Sequence, residues 1–335
     1  MHMADALISP AVGGTMLAVS AAAVAYAAVK SGKEDLSDEK KIPVMGVMSA
    51  FVFAAQMVNF TIPGTGSSGH IGGGLLLAAI LGGHAGFISI TAVLLIQALF
   101  FADGGLLALG CNVFNMGVIT CFFAYPLIYR PIVKKGLNPK RITVASILAV
   151  VVGLQLGAFG VVLETLLSGV TELPFAAFLA LMQPIHLLIG LVEGVVTAAV
   201  LVFVWRLRPE LLESSMNGTP VAAGVSVRNV ALALLAATVL VGGGLSLLAS
   251  SNPDGLEWAI HGVSGQEELE ASGAAHDRAA EFQESIAFLP DYSLPDSESV
   301  AGTAASGLIG GAITLLVAGG AAVAITVVKR KKRAA

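Results

Sequence analysis

The chain has 335 residues, of which 56% are hydrophobic and 12% charged, with a mean hydropathy of +0.86. That balance excludes a soluble globule, so the expected class is a polytopic membrane protein in a lipid bilayer, with no nucleic-acid partner expected. The net charge of −4 decides little by its size, but the placement of the charges decides more.

The chain opens "MHMADALISP", and no lysine or arginine occurs before Lys30. A secretory leader needs a positively charged start, so these first residues are expected to be retained. A spanning helix needs about 20 mostly apolar residues. Candidates lie near 9–29, 42–61, 71–82, 86–101, 107–129, 143–167, 183–206, 229–250 and 305–328. The third, "HIGGGLLLAAIL", is short and glycine-rich, which suits a broken or re-entrant segment.

If all nine cross and the N-terminus lies outside, 17 of the 18 basic residues fall in inner loops and only Arg278 falls outside. This is the distribution that the positive-inside rule favours, with the C-terminus inside. The expected fold is therefore all-α: a seven-helix bundle at 1–206, a polar inner linker at 207–228, and a two-helix unit at 229–328. A basic tail follows at 329–335. The two-helix unit carries an outer segment, 251–304, with eleven acidic residues and one arginine. Within it "EEL" and "DRAAEFQESIAFL" suit short helices, while "NPDGLEW" and "LPDYSLPDS" carry turn chemistry.

Few motifs survive inspection. Gly64, Gly66 and Gly69 have GxGxxG spacing, but in an outer membrane loop rather than between a strand and a helix, and no GxxxxGK[ST] occurs. Any ATP hydrolysis would belong to another subunit. Cys111 and Cys121, ten apart in one apolar stretch, read as small core residues. No HExxH is present for a metalloprotease.

The histidines carry more. His70 lies between the second and third segments, on the side that the topology gives to the N-terminus, so His2 and His70 can meet. The Met1 amine, the deprotonated His2 amide nitrogen and the His2 imidazole form fused chelate rings, and a second histidine completes four nitrogens in a plane. Such coordination suits Ni(II) and Cu(II), with Co(II) also possible. Against this stands the common solvated histidine near a terminus or in a loop. His186 and Glu193 share a face of the seventh helix and are candidate intramembrane functional groups, although solvation at a helix end explains His186 equally. His84 reads as solvated, and His261 and His276 as cation-attracting at most. Gln97, Asp103, Asn112 and Asn115 interrupt apolar helices; they either bond one another across helices or orient a histidine's other ring nitrogen.

Together, "MHMADALISP", "GSSGHIGGGLLLAAILGG", "QALFFADGGLLALGCNVFNMG", "QPIHLLIGLVEG" and "WRLRPELL" resemble the CbiM/NikM family, the metal-capture (S) subunits of energy-coupling factor nickel and cobalt transporters. "NPDGLEW" and "FLPDYSLP" resemble the N-type partner subunit, fused here into one M–N chain. The usual family start is Met-His-Ile-Pro-Asp-Gly; Met3-Ala4-Asp5-Ala6 departs from it.

The resemblance implies metal bound by Met1, His2 and His70, a transmembrane coupling (T) subunit and a pair of ABC ATPases as partners, and a multi-pass place in the cell inner or plasma membrane. Ni2+ or Co2+ is then substrate, with no permanent cofactor and no catalysis by this chain. Small residues in the first helix, such as Ala18–Ala22, would permit close approach to the coupling subunit. The rival reading is a secondary metal/proton carrier using His186 and Glu193. The acidic segment is expected to raise local cation concentration or to clamp the capture unit.

Overall fold

The computed structural model describes residues 1–36, 38–266, 269–271, 273–294 and 300–334. Helix α1 (Pro10–Lys33) starts at Ser9, whose hydroxyl accepts from the Val12 N–H at 3.4 Å, with Pro10 in the first turn. It exposes Leu17, Val19, Tyr26 and Val29, the face a helix turns to lipid. Helices α2 (Lys41–Gln56), α3 (Gly74–Leu81) and α4 (Gly83–Phe100) form the interior, and all eight residues of α3 are buried. Helix α5 (Leu109–Val133) widens to a π-helical pattern over Phe114–Tyr129, with Pro126 inside it.

Helices α6 (Pro139–Ser168) and α7 (Phe175–Leu207) form a long hairpin. Asn138 caps α6 by accepting from Arg141 N–H at 2.9 Å, and Gly169 ends it at φ +63°. A short helix α8 (Pro209–Asn217) leads to α9 (Arg228–Gly243). Two further short helices, α10 (Gly255–Ser264) and α11 (Ala274–Ile286), precede the last long one, α12 (Val300–Ala334). Helices α9 and α12 pack onto α2 and onto each other through glycines: a Cβ on Gly46 of α2 would sit 2.9 Å from the Leu315 carbonyl of α12, and one on Gly307 of α12 would sit 2.9 Å from Gly242 Cα of α9. Without water between helices in lipid, such close backbone approach supplies the packing.

Among the described residues, seven helices are long and apolar enough to cross a membrane, in keeping with the all-α class. Two of the nine expected crossings fall short of that length. The stretch 42–61 ends as helix at Gln56 and continues into β1 (Phe60–Ile62), which pairs antiparallel with β2 (Ser67–Gly69) in the register Phe60↔Gly69. The stretch 71–82 forms only the eight-residue α3. Irregular backbone is tolerated at such depth because protein, not lipid, surrounds it.

The chain nonetheless changes ends at both places. At one end Asp35 Oδ2 accepts from Ala85 N–H at 2.9 Å, Ser215 donates to the Ala79 carbonyl at 2.5 Å, and Asp38 Oδ2 accepts from Val221 N–H at 2.9 Å. The N-terminus, the β-hairpin, residues 101–108 and residues 249–257 gather at the other.

The turn chemistry of "NPDGLEW" opens a helix, with Asp254 as the cap of α10. "DRAAEFQESI" lies in α11 as expected, whereas Glu267 and Glu268 of "EEL" and residues 295–299 of the acidic segment lie outside the described residues.

Candidate metal centre

The two glycines of the hairpin turn, Gly64 at φ +78° and Gly66 at φ +74°, supply conformations open chiefly to glycine. That turn returns the chain as β2, and His70 follows directly. Gly69 just before it lies against Ile189 so closely that a Cβ there would come within 2.6 Å of Ile189 Cγ1. The GxGxxG spacing therefore serves a hairpin and its packing on α7.

His70 and the N-terminus meet. The Met1 amino nitrogen lies 3.2 Å from His70 Nε2, and the rings of His2 and His70 stack with centroids 5.1 Å apart and planes inclined by 12°. His70 Nδ1 lies 3.1 Å from its neighbour's carbonyl, Ile71 O, which leaves Nε2 directed at Met1. His2 Nδ1 is 3.2 Å from Asp103 Oδ1, while Nε2 of the same ring is buried with no partner among the described residues. Removal from water, reinforced by the nearby Met1 charge, lowers both imidazoles to about 3, so both are neutral near pH 7.

The N-terminal strand is held from α5. Asn112 Oδ1 accepts from Met3 N–H at 2.8 Å and its Nδ2 donates to the Met3 carbonyl at 3.2 Å; Gly105 N–H also donates to that carbonyl, at 2.9 Å. Asp5 Oδ1 accepts from Ala108 N–H at 3.0 Å. Asn115 stands behind Met3, 4.0 Å from its sulfur, and donates to Glu164 Oε2 on α6 at 2.7 Å. Gln97 donates to Gln56 Oε1 at 2.8 Å, and Gln56 in turn donates to the Gly72 carbonyl, fixing the loop after His70. Asp103 is more than a turn residue: Tyr292 donates to its Oδ2 at 2.5 Å, and the turn itself is made by Gly104 at φ +83°.

His186 and Glu193 lie beneath this group rather than in it. His186 is 1% exposed, so solvation at a helix end does not describe it; Nδ1 lies 2.8 Å from the Met182 carbonyl of its own helix. Glu193 Oε1 accepts from Gly73 N–H at 2.9 Å, and its side chain lines a small cavity with Met1 and Asn115. His276, expected at most to attract cations, is buried with Nε2 2.9 Å from the Ile8 carbonyl. His84 is half-buried, 3.5 Å from Glu34 and 3.6 Å from Asp35 at the opposite end. Cys111 and Cys121 are buried and unpaired, as small core residues.

Glu164 and Asp254 are carboxylates that escaped the sequence reading. Glu164 is an intramembrane carboxylate, a signal that was legible. Asp254 is the larger omission, since its Oδ2 lies 2.6 Å from the Met1 nitrogen. Burial pushes the Asp254 carboxyl up, but the Met1 ammonium and His70 outweigh it and hold it well below the usual carboxylate range. His2, His70, Asp103, Asp254, Tyr292 and His276 all face one cavity of about 650 Å³ at this end.

A bundle of membrane-length helices with a pocket lined by histidines and carboxylates at one end defines a multi-pass membrane protein. Residues 2–211 match the CbiM family, the cobalt uptake substrate-specific transmembrane region, and residues 228–327 match the PDGLE domain. The chain belongs to the CbiM family of metal transporters, joined to a PDGLE unit.

It is 32% identical to a putative fused nickel transport protein NikMN of Archaeoglobus fulgidus, over 94% of this chain and 96% of that one. It is 34% identical to a probable fused nickel transport protein LarMN of Lactiplantibacillus plantarum, over 62% of this chain and 66% of that one. A crystal structure described as a truncated transition metal transporter superposes with a TM-score of 0.54 at 34% identity, covering 62% of this chain and 99% of the other.

Proposed function

We propose that this chain is the substrate-capture subunit of an ATP-driven importer of Ni2+ or Co2+, in which the Met1 amine, the His2 amide nitrogen and imidazole, and His70 chelate the metal. One observation carries the reading: the Met1 nitrogen and His70 Nε2, 69 residues apart in sequence, lie 3.2 Å apart with the His2 and His70 rings stacked beside them. Four nitrogens from a peptide terminus and two imidazoles favour square-planar Ni(II), and the same donors accept Co(II). The similarity to nickel transport proteins and to the cobalt uptake family supports both metals as cargo.

In this reading residues 1–206 form the capture unit, 207–228 a cytoplasmic linker and 229–328 the partner-like unit, whose outer segment 251–304 brings Asp254 and Tyr292 to the site. The metal end faces outward, in accord with the basic loops at the opposite end. Asp103, Gln97, Asn112 and Asn115 hold the terminus and the loop in register, while His186 and Glu193 support the loop from below. Release inward follows rearrangement driven by a coupling subunit and an ATPase pair, a division of labour in keeping with a sequence that has no GxxxxGK[ST].

The test is nickel uptake by cells expressing the chain with candidate coupling and ATPase subunits. Uptake is expected to stop when the ATPase phosphate-loop lysine is replaced; uptake that persists and follows a proton gradient contradicts the ATP-driven account.

A further inference from the structure

Asp254 comes from the last third of the chain, yet it sits on the first atom. Its two oxygens have separate tasks. Oδ1 caps α10, accepting from Leu256 N–H at 2.7 Å and Glu257 N–H at 3.0 Å, while Glu257 Oε2 accepts from Asp254 N–H at 2.9 Å to complete a capping box. Oδ2 takes no part in the cap and lies 2.6 Å from the Met1 nitrogen.

The backbone around Asp254 is pinned to the hairpin that carries His70. Ser68 N–H donates to the Pro253 carbonyl at 2.7 Å, Ser68 Oγ donates to the Asn252 carbonyl at 2.8 Å, and Trp258 Nε1 donates to the Thr65 carbonyl at 2.9 Å. Gly255 closes the arrangement from below: a Cβ there would fall 2.7 Å from Ile189 Cδ1 and 3.2 Å from His186 Cε1. The carboxylate therefore has little freedom to turn away from the amine.

We propose that Asp254 is a positioning residue for the metal site, accepting a hydrogen bond from the Met1 amine and so directing its lone pair, which makes the centre a joint product of the two units of the chain. A metal-bound amine retains two N–H groups, so one still reaches Asp254 while nitrogen binds the metal. Partners that orient a ligand in this way are commonly worth about 10–100-fold in metal affinity. The inference rests on the chelate proposed above and adds a residue outside it.

The experiment is equilibrium Ni2+ titration of the full solubilised chain, with the visible Ni(II) spectrum, for the unsubstituted protein and for Asp254→Asn, Asp254→Glu, Glu257→Ala and His70→Ala. Asparagine is an equally good helix cap, so D254N keeps α10 while replacing the charged acceptor. The expected result is a loss of about 10–100-fold in D254N, with an unmoved absorption band, partial recovery in D254E and affinity near that of the unsubstituted chain in E257A.

Three results overturn the proposal: full affinity in D254N, an equal loss in E257A, or a band that moves in D254N and so makes Asp254 a ligand. Unaltered binding in H70A instead defeats the chelate itself, so the two failures are distinguishable.

Discussion

Replacing Asn112 by leucine tests how the terminus is seated. Asn112 is 3% exposed and Met3 fully buried, and the amide makes two hydrogen bonds to the Met3 backbone. The leucine leaves the Met3 carbonyl with its Gly105 donor, but the Met3 N–H loses the acceptor 2.8 Å away. One buried donor without a partner costs about 1–3 kcal/mol. If that cost falls on holding the terminal strand in place, Ni2+ affinity falls by about 5- to 150-fold at 1.4 kcal/mol per tenfold. Calorimetric titration of the solubilised full chain reads the change, with thermal unfolding followed alongside. Asn112→Gln can offer both an acceptor and a donor to the Met3 backbone and is expected to recover part of the affinity. A folded N112L variant that binds nickel as tightly as the unsubstituted chain refutes the argument.

Acidity and the intramembrane carboxylates supply further tests. The His2 and His70 imidazoles lie at about 3, so both are already neutral between pH 5 and 7 and do not compete with metal there. Lowering the pH from 7 to 5 is therefore expected to add no imidazole protonation to the pH dependence of Ni2+ affinity; imidazoles with ordinary values near 6.5 would make log affinity fall by up to two further protons per pH unit below pH 6.

Glu193→Gln retains an oxygen for Gly73 N–H, so uptake is expected to stay within about twofold, as for a hydrogen bond kept rather than broken. Abolished uptake with metal binding intact would instead favour the proton-coupled carrier. Glu164→Ala strips Asn115 of its carboxylate partner and is expected to lower stability by about 1–3 kcal/mol in thermal unfolding.

Much of the fold was legible because transmembrane helices announce themselves by length and apolarity, and the long ones from α4 onward lie close to their expected bounds except α7, which begins at Phe175 rather than 183 and carries Pro184 inside it. The stretch 42–73 was less legible. Its glycines permit either a helix or a hairpin, and the choice depends on protein burying the irregular backbone, which composition does not encode. At the site, the Met1, His2 and His70 donors were readable as chemistry, and the structure brings those three residues together.

Asp254 was not readable in that role. The D-x-x-E spacing of Asp254 and Glu257 announces a helix cap, but nothing local indicates that the second carboxylate oxygen meets an amine 253 residues away. Asn112 and Asn115 left two possibilities open, bonding across helices or orienting a histidine. Their partners are the Met3 backbone and Glu164, so they hold the terminal strand and not an imidazole.

The central claim is that the free amine and His2 act as one chelating unit, and converting the Met1 amine to an amide by acetylation tests it most directly. Bound nickel and cobalt per chain, with the Ni(II) absorption spectrum, should be measured for the free and the acetylated start. The account predicts that acetylation removes the metal and any square-planar band together, because the acylated nitrogen no longer offers an amine lone pair. Undiminished metal with an unchanged band would contradict it and move the site away from the terminus.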